Sequence, residues 1–161
     1  MEFKTDIFSQ YDKKWALVCA GTMKKHNAMT ISWGGMGTLW GRPVVTVYVK
    51  PCRYTYEFMN DNEYFTVSFY PEENRKALSV MGKLSGRDMD KEKEAGITPV
   101  DLGKAVTYQE AEVTILCKKI YAQDLETDKM PPEVVDRYYM TEAPHRMFIG
   151  EVVEIRQTNL T

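Results

Sequence analysis

Six short runs rich in β-branched and aromatic residues, at 15–20, 28–33, 44–49, 64–69, 111–120 and 147–155, constrain this chain's fold more than any other feature. Runs this short, spread along the whole chain, suit a sheet that closes on itself. The run at 64–69 alternates strictly, with Phe65, Val67 and Phe69 on one face and Tyr64, Thr66 and Ser68 on the other, as expected when one face is buried. The run at 44–49 is apolar on both faces and needs cover on both, from the centre of a sheet or from a partner. Gly34-Gly35-Met36-Gly37 reads as a flexible β-turn; it lacks a Walker lysine and does not match GxGxxG.

Helical signals lie between the strands instead of alternating with them. One covers 54–61. A second starts at Pro71, with Glu72 and Glu73 in its first turn and Lys83 at its end, each charge complementing the helix dipole. A third spans 88–95, with Asp88 as N-cap and Gly96 as stop. A fourth follows Pro131-Pro132 through Val134, Val135 and Tyr138. There is no repeat, low-complexity tract or linker, so residues 1–161 are expected to form one domain, a β-barrel with helices around it.

Charge and cysteine content exclude several classes. The 21 basic and 23 acidic residues are interspersed, which argues against a nucleic-acid partner. No stretch approaches the ~18 to 20 apolar residues of a membrane span, and residues 1–15 lack a signal-peptide pattern, so a cytoplasmic protein is expected. Cys19, Cys52 and Cys117 are odd in number and far apart, which reads as reduced structural thiols. His26 and His145 are the only histidines and have no metal-ligand spacing around them, and no GxSxG elbow is present. A chain with so few acid–base groups can still catalyse if a bound cofactor carries the reaction.

Three segments carry the functional signal. Asn27-Ala28-Met29-Thr30-Ile31-Ser32-Trp33-Gly34-Gly35 sets small hydroxyls beside a large aromatic and then glycines; it suits a flat heterocycle, or simply a strand ending in a glycine turn. Lys50-Pro51-Cys52-Arg53-Tyr54-Thr55 joins a strand to a helix and puts Arg53 and Thr55 beside unpaired backbone N–H groups. Ser85-Gly86-Arg87-Asp88, with Lys91 one turn on, repeats that design. The two junctions could converge on one phosphate; a surface arginine with a helix cap is the alternative for each.

Taken in order, NAMTISWGG, PxRYTYEFM, SGRDMDKEKEAG and HRMFIGEVVEI resemble the flavin reductase-like proteins, especially the flavoredoxin type, over residues 15–155. The resemblance implies a six-stranded Greek-key split β-barrel that forms a homodimer and holds FMN near the subunit interface. It puts Met29, Thr30, Ile31, Ser32 and Trp33 along the isoalloxazine ring. Arg53 and Thr55 fall at the phosphate and ribityl end, with Ser85, Gly86, Arg87, Asp88 and Lys91 in a further flavin-contacting loop. His145 resembles the histidine that approaches flavin and nicotinamide, although Thr141-Glu142-Ala143-Pro144 departs from the acidic residue that precedes it in many reductases. The implied activity is an NAD(P)H-dependent flavin reductase or flavoredoxin-like electron transfer protein. NADH or NADPH would be the donor, and a downstream electron-acceptor protein a possible partner. A tight FMN-binding carrier without direct nicotinamide use, and a non-catalytic ligand-binding barrel, are the alternatives.

Overall fold

The structure is a computed structural model, and it describes residues 2–158. Seven strands form one antiparallel sheet in the order β2-β1-β5-β8-β9-β4-β3: β1 (Ala16–Gly21), β2 (His26–Ile31), β3 (Gly34–Leu39), β4 (Arg42–Val49), β5 (Tyr64–Phe69), β8 (Val113–Asp124) and β9 (Arg146–Gln157). A separate two-stranded sheet pairs β6 (Pro99–Asp101) with β7 (Val106–Tyr108). The helices are α1 (Ile7–Asp12), α2 (Tyr54–Asp61), α3 (Arg75–Lys83), α4 (Lys91–Ala95) and α5 (Pro132–Tyr138).

The sheet must curl, and its connections show why. Laid flat, seven strands would put the edges about 29 Å apart at ~4.8 Å per step. Yet the two edge strands, β2 and β3, are consecutive in the chain and joined only by Ser32 and Trp33. Three peptide steps reach at most about 11 Å, so the sheet bends until its edges meet at that corner. It remains open, without pairing between β2 and β3 among the described residues. Both Ser32 and Trp33 therefore stand in the seam.

Inside the curl lies one core, containing Val18, Val45, Val47, Phe65, Val67, Phe69, Ile115 and Phe148, each no more than 2% exposed. Gly150 of β9 is packed so closely there that a Cβ would come within 2.6 Å of the Phe65 ring. A second core lies on the outer side of β1 and β2, where Ala77, Leu78 and Met81 of α3 pack with Leu17, Cys19 and Ala28. The spacing of these three α3 residues is one helical face, and burying a leucine such as Leu78 contributes about 1.5–3 kcal/mol.

Several expectations need correction. The sheet has seven strands where six were expected, because Gly34–Leu39 is not a turn but edge strand β3. Backbone pairing to β4 makes it a strand, and Met36 packs toward the inner core. The turn falls later, at Trp40-Gly41, where both φ are positive (54° and 69°), as a two-residue type I′ hairpin demands. The polar face of β5 is buried as well: Thr66 Oγ1 donates to Val106 O at 2.7 Å and Ser68 Oγ shares a hydrogen bond with Tyr70 OH at 2.8 Å. The helix expected from Pro71 opens with a 3₁₀ turn at Glu72–Asn74, and α3 proper begins at Arg75. Asp90, not Asp88, caps α4, its carboxylate accepting Lys93 N–H. Strand β4 lies between β9 and β3, as expected for 44–49, and its outer face is half-buried at Thr46 and Tyr48 within the chain.

Candidate functional site

Two cavities meet at Arg53. The larger, about 250 Å³, is walled by the end of β2 and the seam, Met29 through Trp33, and faces Tyr48, Lys50, Arg53 and His145. The smaller, about 190 Å³, lies between the α2 N-terminus (Arg53, Tyr54, Thr55) and the loop after α3 (Ser85, Gly86), with Asn27 and Lys91 behind. Eleven of the thirteen candidate residues line these two cavities, all but Arg87 and Asp88: Met29, Thr30, Ile31, Ser32, Trp33 and His145 the larger, Ser85 and Gly86 the smaller. Thr55 and Lys91 also line the smaller, and Arg53 lines both.

The larger cavity has an apolar floor and a polar rim. Met29 and Ile31 are buried, while Trp33 at the seam is 40% exposed. The Thr30 hydroxyl donates to Leu78 O, so it ties β2 to α3. At the far end, Trp33 meets Tyr138 edge-on (5.1 Å between centroids) and His145 at 5.3 Å. His145 lines this cavity, and its Nδ1 is hydrogen-bonded to Tyr139 OH at 2.8 Å. Burial, and then the nearby Lys50 charge, push the imidazole down to about 4, so it is neutral at physiological pH. Lys50 in turn forms an ion pair with Glu142.

The smaller cavity gathers positive charge. Arg53 is the N-cap of α2, and it gives one N–H to Gly82 O at 3.0 Å, leaving four guanidinium donors. The α2 N-terminus adds its dipole and unpaired N–H groups. Lys91, only 4% exposed, donates to Ala28 O (2.6 Å) and Met81 O (3.0 Å). Burial first, and the charge of Arg53 second, bring Lys91 down to about 8. Among the described residues neither cation has a carboxylate within ion-pair distance. Gly86 is required for this packing, since a Cβ there would lie 2.2 Å from Asn27 Oδ1. Asn27 Nδ2 holds the buried Thr55 hydroxyl at 2.8 Å.

Arg87 and Asp88 stand apart from both cavities. Arg87 pairs with Glu57 at 2.8 Å and lies over the Tyr54 ring at 4.8 Å, on the exposed side of α2. Asp88 is exposed and closes a turn, its N–H donating to Ser85 O. Seven lining residues were not among the candidates: Tyr48 and Lys50 in the larger cavity, and Asn27, Cys52, Tyr54, Lys83 and Leu84 in the smaller. Tyr48 follows from the alternation of β4, and Lys50 opens the segment already singled out. Asn27 carries no local signal, because its role depends on Thr55, 28 residues away.

A family profile described as the flavin reductase like domain matches residues 8–160. The chain belongs to this family. Solved structures agree on the fold of this flavin reductase-like chain. Flavoredoxin from Methanosarcina acetivorans superposes with a TM-score of 0.70 at 20% identity, covering 91% of this chain and 69% of that one. Flavoredoxin of Desulfovibrio vulgaris (Miyazaki F) gives 0.69 at 22% identity, covering 90% and 69%. The styrene monooxygenase flavin reductase from Pseudomonas putida S12 gives 0.67 at 18%, covering 91% and 80%. A search of curated proteins found no match. Among the described residues no helix is long and apolar enough to cross a membrane.

Proposed function

We propose that this chain is a single-domain, cytoplasmic flavoprotein that binds FMN across the two cavities and works as an NAD(P)H-dependent oxidoreductase. One observation carries the reading. Arg53 and Lys91 face one cavity at a helix N-terminus with no carboxylate within ion-pair distance among the described residues, and Lys91 is depressed partly by Arg53 itself. Two mutually repelling cations with unpaired donors form a site for a phosphate dianion. The adjoining cavity, with Met29 and Ile31 below and Thr30, Ser32 and Trp33 alongside, has the donor set and flat apolar wall that a polar-edged heterocycle requires. Solved relatives named as flavoredoxins and as FMN-binding proteins support the same reading.

Bound FMN would supply the redox chemistry by accepting a hydride from a reduced nicotinamide. The chain's residues supply the rest. Arg53, Lys91 and the α2 N-terminus anchor the phosphate and fix the ligand's direction along the groove. Met29 and Ile31 exclude water from below it. Neutral His145, held through Nδ1 by Tyr139, lines the larger cavity without adding charge at the end where a nicotinamide would stack.

Fluorescence titration tests the reading. FMN should bind and riboflavin, lacking the phosphate, should bind far more weakly. Arg53→Ala should cost FMN about tenfold or more, one charge-assisted bond being worth roughly 1.5–3 kcal/mol, while riboflavin hardly changes. Arg87→Ala should change FMN little, because Arg87 is an exposed partner of Glu57. Equal losses of FMN and riboflavin in Arg53→Ala would remove the phosphate role, and no FMN binding by the wild type would end the flavin reading.

A further inference from the structure

Phosphate recognition uses Arg53 and Lys91 but leaves a third cation without a task. β4 ends at Val49, so Lys50 emerges at the strand's end and lines the larger cavity beside Ser32, Trp33 and His145. Its side chain is 22% exposed, and its ammonium is held by one anion, the Glu142 carboxylate, which is 45% exposed at the rim. The Tyr139 ring lies 5.8 Å from Nζ. Arg53 stands at the junction with the smaller cavity and is tied to Gly82. No carboxylate lines the larger cavity among the described residues. Lys50 is therefore the charge that this cavity has to itself, and Glu142 is the one group positioned to offset it.

We propose that Lys50 sets the reduction potential of the bound flavin and that Glu142 restrains its charge from the rim. The proposal rests on the FMN reading above. Reduction builds negative charge on the ligand, and a cation at the wall of a partly desolvated cavity favours that form over the oxidised one. The sign holds whichever edge of the ring faces Lys50. Glu142 opposes the effect, and its exposure makes its influence smaller and more sensitive to salt. Tyr139 links the two roles of this corner, since it contacts both Lys50 and His145.

The test is a reductive titration of the FMN-loaded protein with dithionite, against a dye of known potential. Lys50→Met should lower the potential by at least about 30 mV, the two-electron equivalent of a tenfold loss of reduced relative to oxidised FMN affinity. Lys50→Arg should stay near wild type. Glu142→Gln should raise the potential by a smaller amount, and the double variant should fall between Lys50→Met and wild type, because the two charges act on the ring additively. A Lys50→Met potential that is unchanged or higher overturns the proposal, as does a Glu142→Gln shift larger than that of Lys50→Met. Glu142→Gln alters an exposed side chain, so a lowered potential there overturns the proposal even if Lys50→Met fails to fold. Oxidised FMN affinity is read separately by fluorescence, and a wild type that binds no FMN defeats the flavin reading instead.

Discussion

At the residue scale, the two histidines respond to pH in opposite directions. His26 gives Nδ1 to the Thr22 carbonyl region and Nε2 to Glu92, and the Glu92 hydrogen bond chiefly raises its pKa above 6.5. Its stabilising contribution is complete below the free imidazole's ~6.5 and disappears as pH rises through its own higher value. His145 is depressed to about 4, so its contribution is present above ~6.5 and is lost as pH falls toward 4. Urea unfolding from pH 4 to 9 should therefore show two separate losses. His26→Asn should flatten the alkaline one and His145→Gln the acidic one; a variant that leaves its own limb unchanged would contradict the assignment. In turnover, on the proposed function, His145→Ala should slow reduction by NAD(P)H more than it weakens FMN, since His145 lines the larger cavity and not the smaller one proposed for the phosphate. Equal rates in stopped-flow reduction would take His145 out of the site.

At the element scale, α4 is a short helix tied to its neighbours by the buried Lys91 amine and by the His26–Glu92 hydrogen bond. Its five residues cannot be stable alone. Its first residue, Lys91, reaches the Ala28 carbonyl on β2 and the Met81 carbonyl on α3, so three elements close around the smaller cavity through a single Nζ. Lys91→Met preserves the stem but leaves both carbonyls without that donor. The expected cost is about 2–4 kcal/mol, or roughly 4–16 °C in melting temperature for a chain of this size. FMN affinity should fall as well, because the cavity wall and one cation go together. Thermal melts of the apo and FMN-loaded variant check both parts, and a melting temperature unchanged in the apo form would show that α4 is held some other way.

At the scale of the whole molecule, the half of the sheet built from β3, β4, β8 and β9 is incompletely covered. Trp40 (64% exposed), Tyr121 (39%) and Val153 (46%) project there, and the Trp40 and Tyr121 rings meet edge to face at 6.5 Å. Trp40 also occupies a turn position with φ of 54°, where asparagine or glycine is easier to accommodate. A bulky residue kept exposed in an unfavourable conformation points to a task outside the chain, and we expect that task to be self-association. Sedimentation at micromolar concentration should give twice the 18.6 kDa chain mass. Trp40→Asn should relieve the turn yet shift the protein toward monomer; an 18.6 kDa species already in the wild type would exclude the dimer.

What the chain encoded locally was legible without coordinates. Helix 54–61 and strand 64–69 follow from residue type and period within a few positions, and both have those bounds in the structure. The motif segments 29–33 and 53–55 were found the same way, because a strand end and a helix start have signatures a few residues long. Tertiary structure decided everything that depends on residues far apart. Strand β3 has a glycine-rich sequence with little intrinsic preference, and only pairing to β4 makes it an edge. Thr66 and Ser68 look solvent-facing by alternation, yet β7 and Tyr70 supply partners that let them be buried. Lys91 becomes a buried tether only when β2 and α3 present their carbonyls, and Arg87 turns to Glu57, 30 residues away. Local periodicity is written in neighbouring side chains, whereas a charge's role depends on what the folded chain places within a few ångströms of it.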